Sequence, residues 1–174
     1  PGLSRLLDAT VGEDWVRDLS QLQGLEAFAA DAAFQEQWLR AKRHNKQMLV
    51  QKLGQRTGVA LNPDALFDIQ VKRIHEYKRQ HLNLMHVITL YHRLRQNPQL
   101  DIAPRCVIFG GKAAPGYRMA KLIIRLINGV AATVNADPAV AGRLQVAFYP
   151  DFNVKHAHAI YPAADLSEQI STAG

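Results

Sequence analysis

The sequence predicts an α/β fold, with a helical N-terminal half leading into part of a doubly wound parallel sheet. Three observations predict it. Residues 3 to 58 carry many strong helix formers with apolar residues at helical spacing. From Leu66 onward, short apolar strand patterns alternate with longer helical ones. Proline or glycine marks most of the junctions. An order of β-α-β-α-β-α implies parallel strands joined by right-handed crossovers. The texture changes near residue 64, dividing the chain into a helical segment, 1–63, and a partial Rossmann-like segment, 64–174.

Taken in order, Leu3, Leu6, Leu7 and Val11 predict a short amphipathic turn or two, continued by Asp14 to Leu19 and broken at Gly24. A long helix is predicted over about 27–53, with Phe34, Trp38, Ala41, Met48, Leu49 and Leu53 as its buried positions and Gly54 as its stop. Asn62-Pro63-Asp64 is a turn signal. The first strand spans about 66–72, because Phe67, Ile69 and Val71 alternate with Asp68, Gln70 and Lys72. A helix over about 80–95 follows, with Leu82, Met85, Val87 or Ile88, Tyr91 and Leu94 as its apolar positions, ended by Asn97-Pro98. The second strand, 105–109, is a continuous apolar run, as expected for a strand covered on both faces. The next helix runs from Tyr117 to about Asn135, with Met119, Leu122, Ile123, Leu126, Ile127 and Val130 as its buried stripe. A third strand, 144–149, and a short helix, 154–160, complete the pattern.

Composition narrows the classes. The chain has 174 residues, of which 48% are hydrophobic, ample for a globular core. No apolar run reaches the length of a membrane span, and nothing at the N-terminus reads as a signal peptide. The single cysteine, Cys106, lies in an apolar run and reads as a buried core thiol without a disulfide. A cytoplasmic location fits these features. The net charge of +6 is uneven, with Arg40, Lys42, Arg43, Lys46, Lys52 and Arg56 unaccompanied by any acid between residues 40 and 58. That balance keeps open a basic nucleic-acid-binding module, although no aromatic residues are interleaved with the basic face. A structural or interaction piece without catalysis is the other alternative. Pro1-Gly2 without an initiator methionine, and Gly174 after a polar, turn-like stretch, read as the ends of an excised piece.

The chemistry concentrates where the first strand ends. Lys72, Arg73, Lys78 and Arg79 place four cations within eight residues, between a strand and a helix. In an open parallel sheet ligands bind at that edge, and lysine and arginine both suit phosphate oxygens. The segment reads as a site for one or more phosphate groups, against the alternative of a solvated basic turn. Gly110-Gly-Lys-Ala-Ala-Pro-Gly-Tyr117 is a second strand-to-helix turn. It does not match G-x-G-x-x-G or the nucleotide-binding loop and reads as a tight packing loop. The seven histidines show no metal-ligand spacing, so no metal is expected.

Val71-Lys-Arg-Ile-His-Glu-Tyr-Lys-Arg-Gln80 resembles the signature of the glycogen and maltodextrin (α-1,4-glucan) phosphorylases. The glycine-rich block at 110–117 and Pro162-Ala-Ala-Asp-Leu-Ser-Glu-Gln-Ile-Ser-Thr-Ala-Gly174 agree with it, in order, and the likeness runs from Pro1 to Gly174. The resemblance implies part of the C-terminal domain of a GT-B type glycosyltransferase. The parent would use pyridoxal phosphate to phosphorolyse α-1,4-glucan to glucose 1-phosphate, most simply as a homodimer without nucleic acid or membrane. It makes Lys72 a contact to the cofactor phosphate. Arg73 and Lys78 become the catalytic residues that hold substrate phosphate, and Tyr77 a contact to glucosyl hydroxyls. Gln169 and the loop from Phe152 through Asn153 to Ala157 match positions lining the cofactor pocket. Many members have tyrosine at Phe152, and animal enzymes have arginine at Asn153. The aromatic matching Tyr117 helps form a purine-type inhibitor site in animal enzymes. The family's Schiff-base lysine is expected beyond residue 174, which leaves residues 1–174 inactive alone.

Overall fold

The structure, a computed structural model, describes residues 2–172. It forms two compact units, Pro1–Asn45 and Lys46–Gly174. The division falls inside a long helix rather than in a linker.

The first unit contains α1 (Gly2–Val11), two 3-10 segments (Asp14–Val16 and Leu19–Phe28) and the start of α2 (Ala32–Thr57). Gly24 is not a break. It lies inside the second 3-10 segment, where an added Cβ would stand 3.1 Å from Cγ1 of Val11. The interruption comes at residues 29–31, and the Asp31 carboxylate then accepts the Phe34 N–H at 2.8 Å. At the far end α2 passes through Gly54 and stops at Gly58, whose φ of +73° suits glycine and whose N–H reaches the Gly54 carbonyl. The helix is therefore offset from the expected 27–53. A glycine inside a helix costs only about 1 kcal/mol against alanine, whereas the left-handed cap position selects it. Trp38 and Met48, expected in a core, are exposed. Phe28, Phe34 and Trp38 instead form a ring row with centroids 5.6 and 6.3 Å apart.

The second unit is an α/β sandwich. Four parallel strands, β1 (Leu66–Val71), β2 (Arg105–Gly110), β3 (Leu144–Tyr149) and β4 (Leu166–Ser167), lie in the order β3-β2-β1-β4. The helices α3 (Gln80–Gln96), α4 (Arg118–Ala136) and α5 (Val154–Ile160) connect them. β4 was not expected. It is two residues long and too polar for strand periodicity to register. One face of the sheet packs Val107, Phe109 and Val146 against α3 and α4. The other packs Phe67, Ile69, Val71, Cys106 and Ile108 with Leu49, Leu53 and Ile160. Both faces are thus covered, as a doubly wound sheet requires.

Each helix buries part of its expected set, Val87, Tyr91 and Leu94 in α3 and Ile123 and Ile127 in α4, and turns others to solvent. α3 buries Leu84, Val87, Leu90, Tyr91 and Leu94, and exposes Leu82 and Met85. α4 buries Ala120, Ile123, Ile127, Ala131 and Val134, and exposes Met119, Leu122 and Leu126. Both helices are apolar around more than one stripe, so spacing alone cannot choose which stripe meets the sheet. α4 is long and apolar enough to cross a bilayer by length and composition. Its buried stripe packs in the core of the unit.

Candidate active site

The strand order fixes where a ligand belongs. The chain steps from β1 outward through β2 to β3, then returns to place β4 on the other side of β1. The connections reverse at β1 and β4, and the crevice at the carboxyl ends of such strands is the general binding place of open α/β sheets. Lys72 immediately follows β1, and Gln169 follows β4 by two residues. The Lys72 ammonium donates to Oε1 of Gln169 at 2.7 Å and to the Glu168 carbonyl at 2.9 Å, which bridges the switch point.

Beyond Lys72 the chain does not enter α3 directly. Arg73 and Ile74 continue alongside the glycine-rich turn, with the Lys72 N–H donating to the Gly110 carbonyl and the Ile74 N–H to the Lys112 carbonyl. A 3-10 turn, Glu76–Lys78, follows, and Arg79 has a left-handed φ of 59° before α3 begins. Glycine is needed at 111, where an added Cβ would lie 2.2 Å from the Lys72 carbonyl oxygen. The Gly110-Gly111 pair therefore lets the two loops touch backbone to backbone.

The expected site residues fall into linked groups. Arg73 is exposed, and with Phe152, Lys112, Ala113, Ala114 and Pro115 it lines a cavity of about 540 Å³. Lys78 sits over the Tyr77 ring at 4.8 Å. His75 stacks on Tyr77 at 4.2 Å and on Tyr117 at 4.9 Å, and the Tyr117 hydroxyl donates to Glu76 at 2.5 Å. The carboxylate beside it raises the Tyr117 pKa above the phenol range. The C-terminal segment closes on the same loop, with the Thr172 N–H donating to the Tyr77 carbonyl at 2.9 Å. Asn153 and Ala157 belong to the first turn of α5. The Asn153 side chain accepts the His156 N–H at 3.3 Å and donates to the Asp151 carbonyl, so its polar atoms serve the turn.

The electrostatics favour an anion. Burial, and then the neighbouring Lys78 charge, push the Lys72 pKa down. Lys72 and Lys78 repel each other, and among the described residues no ion pair is made by Lys72, Arg73 or Lys78, although the Glu168 charge eases Lys72; a phosphate would relieve the repulsion. The basic stretch of α2 differs. Lys46 pairs with Asp165 at 2.5 Å, and Arg56 stacks on Tyr149 at 5.5 Å and bonds His156 at 2.9 Å. A larger groove of about 820 Å³ runs between α3 and α4, lined by Ile88, Tyr91, Leu122 and Leu126 among others. It contains none of the loop cations, so the chemistry favours the smaller cavity.

Pattern reading missed a buried polar set on β1 and α3. Asp68, Gln70, Gln80 and Asn83 are all buried. Asp68 accepts from Arg105 at 3.3 Å, its other oxygen has no hydrogen-bond partner among the described residues, and burial followed by the nearby Glu168 raises its pKa to about 6. The available signal was β1 itself, where alternation in a strand covered on both faces means that its polar residues are buried too.

The sequence pattern of the family described as "Carbohydrate phosphorylase" matches residues 1–174. "Glycogen phosphorylase" of Synechocystis sp. is 57% identical over 100% of this chain and 20% of its own length. "Glycogen phosphorylase, liver form" of Homo sapiens is 52% identical over the same share of each. "Glycogen phosphorylase" of Chlamydia pneumoniae is 50% identical over 100% of this chain and 21% of its own length. The chain thus spans about a fifth of the length of these relatives. A family pattern that covers every residue means that the chain belongs to the carbohydrate phosphorylase family.

Proposed function

We propose that this chain contributes the phosphate-binding wall of an α-1,4-glucan phosphorylase, which cleaves glucan with inorganic phosphate to release glucose 1-phosphate. The supporting observation is the cation set at the switch point of the sheet, without ion pairs among the described residues, with Lys72 tied to Gln169 and Arg73 lining the Phe152 cavity. Arg73 and Lys78 bind the substrate phosphate and offset the charge that develops as the glycosidic bond breaks. Tyr77, held by His75 and Lys78, presents its hydroxyl to the glucosyl unit.

Pyridoxal phosphate fits the donor set. The Lys72 pKa is lowered by burial and then by the Lys78 charge, and a second phosphate group would offset that repulsion. Lys72 and Gln169 would hold its phosphate side and Phe152 would pack on it, while Asn153 and Ala157 shape the turn beneath. When bound, the cofactor supplies a phosphate able to exchange a proton beside the substrate phosphate. Residues 1–174 by themselves are proposed to be inactive, and the active parent to be a cytoplasmic homodimer acting without nucleic acid or membrane.

The test compares wild-type and Lys78→Ala full-length enzyme for glucose 1-phosphate formation from a linear glucan. The expected loss in kcat/KM for phosphate is about 100- to 10,000-fold. Undiminished phosphate turnover in Lys78→Ala would remove that residue from the site. Wild-type enzyme without any phosphate-dependent cleavage would remove the proposed reaction.

A further inference from the structure

Arg73 and Lys78 are five positions apart on an irregular loop, and among the described residues neither makes an ion pair. Their backbone carbonyls are fixed instead. Nε2 of Gln70, on β1, donates to the Lys78 carbonyl at 2.9 Å. Nε2 of Gln80, the first residue of α3, donates to the Arg73 carbonyl at 3.1 Å, while its Oε1 accepts the His75 N–H at 3.4 Å. Nδ2 of Asn83 donates to Oε1 of Gln70 at 3.1 Å. Gln70 and Gln80 are fully buried and Asn83 is 4% exposed.

We propose that Gln70, Gln80 and Asn83 are positioning residues that set the separation of Arg73 and Lys78 for a phosphate group. This rests on the phosphorolysis reading above. The chemistry of the anchor supports it. A carboxylate in their place could only accept, so it could not hold the Arg73 and Lys78 carbonyls, and it would place a negative charge beside the cations. Neutral amides fix the backbone and leave the charge available. Buried amides are retained only where their polar atoms are engaged, and here each one spans two elements or clamps a carbonyl. The three amides join β1, the cation loop and α3 into one unit, so the two cations inherit the rigidity of the sheet.

The experiment uses the full-length holoenzyme with Gln70→Met and Gln80→Met, each near the original volume but without the amide donor. KM for phosphate is expected to rise about 10- to 100-fold, the scale set by a misplacement of roughly 1 Å, with KM for glucan within about twofold. Amide hydrogen exchange over residues 72–79 is expected to quicken about tenfold while β2 keeps its protection. Equal effects on both KM values together with global loss of protection would reduce the amides to ordinary core residues and overturn the proposal. Unchanged phosphate KM with unchanged exchange would overturn it too. If Gln70→Met does not accumulate as folded enzyme, Gln80→Met carries the same test through Arg73. The exchange readout needs no turnover. An altered loop in an enzyme lacking phosphate dependence would therefore count against the proposed reaction, whereas an unaltered loop in a phosphate-dependent enzyme counts against the amides.

Discussion

β1 and β2 are neighbouring parallel strands in the same sheet, and on the face toward α3 and α4 they are built oppositely. Register pairs Asp68 with Val107 and Gln70 with Phe109. All four side chains are fully buried. β2 spends that face on packing. β1 gives it to Asp68, which accepts from Arg105, and to Gln70, which donates to the Lys78 carbonyl of the cation loop. On the opposite face both strands are apolar, with Phe67 and Ile69 beside Cys106 and Ile108. The difference teaches that one strand can serve two tasks, packing through one face and positioning a functional loop through the other.

That contrast can be broken most strongly at Phe109. Phe109→Ala should lower the unfolding free energy by about 3–5 kcal/mol, measured by urea denaturation, because the site is sealed by α3 and α4. A loss no larger than that of Gln70→Ala would erase the distinction between the strands.

Gly111→Ala comes next. The Cβ would meet the Lys72 carbonyl at 2.2 Å and Ile74 Cδ1 at 2.8 Å, whereas at Gly110 the nearest atoms are side-chain carbons at 3.2–3.3 Å. A cost of about 3 kcal/mol is expected for Gly111→Ala and about 1 kcal/mol for Gly110→Ala. Equal melting temperatures for the two variants would show that the loops do not depend on this close approach.

Asp68 supplies a smaller effect with a definite pH window. Its folded pKa of about 6 lies above the ordinary 3.8, so the native protein holds this proton more tightly than the unfolded chain. The group therefore costs nothing below about pH 4, grows unfavourable as pH rises to about 6, and stays constant above, amounting to at most roughly 3 kcal/mol. Asp68→Asn should remove that slope. Parallel stability curves for wild type and variant between those pH values would sink the assignment.

The gentlest probe is Cys106 on the apolar side of β2. Burial raises its thiol pKa to about 11. Alkylation by iodoacetamide at pH 8 should run about 100-fold slower in the native protein than in the unfolded one. Rapid native labelling would mean that this face opens readily.

Much of the fold was legible because its signals are local. The strands at 66, 105 and 144 and the helices of the second unit fall within a residue or two of their expected bounds. The cation loop was legible as a charge cluster at a strand end. What escaped depended on partners distant in sequence. Met85 and Leu122 looked like core residues, but the sheet meets other stripes of their helices. β4 is a strand only because β1 offers it an edge. Gln70 was legible only as a polar alternate in the first strand, whereas α3 and the loop bury and engage it.

The sequence by itself determined the class of fold, the order of its elements and the position of the cations along the chain. Those follow from periodicity and residue type, which act over a few neighbours. Only the tertiary structure decided that Lys72 meets Gln169, that Arg73 shares a cavity with Phe152, and that three buried amides hold the loop. Each of these depends on bringing together residues that are distant along the chain, or on covering a strand from both sides. Such contacts are fixed by packing and burial of the whole unit, which no local pattern encodes.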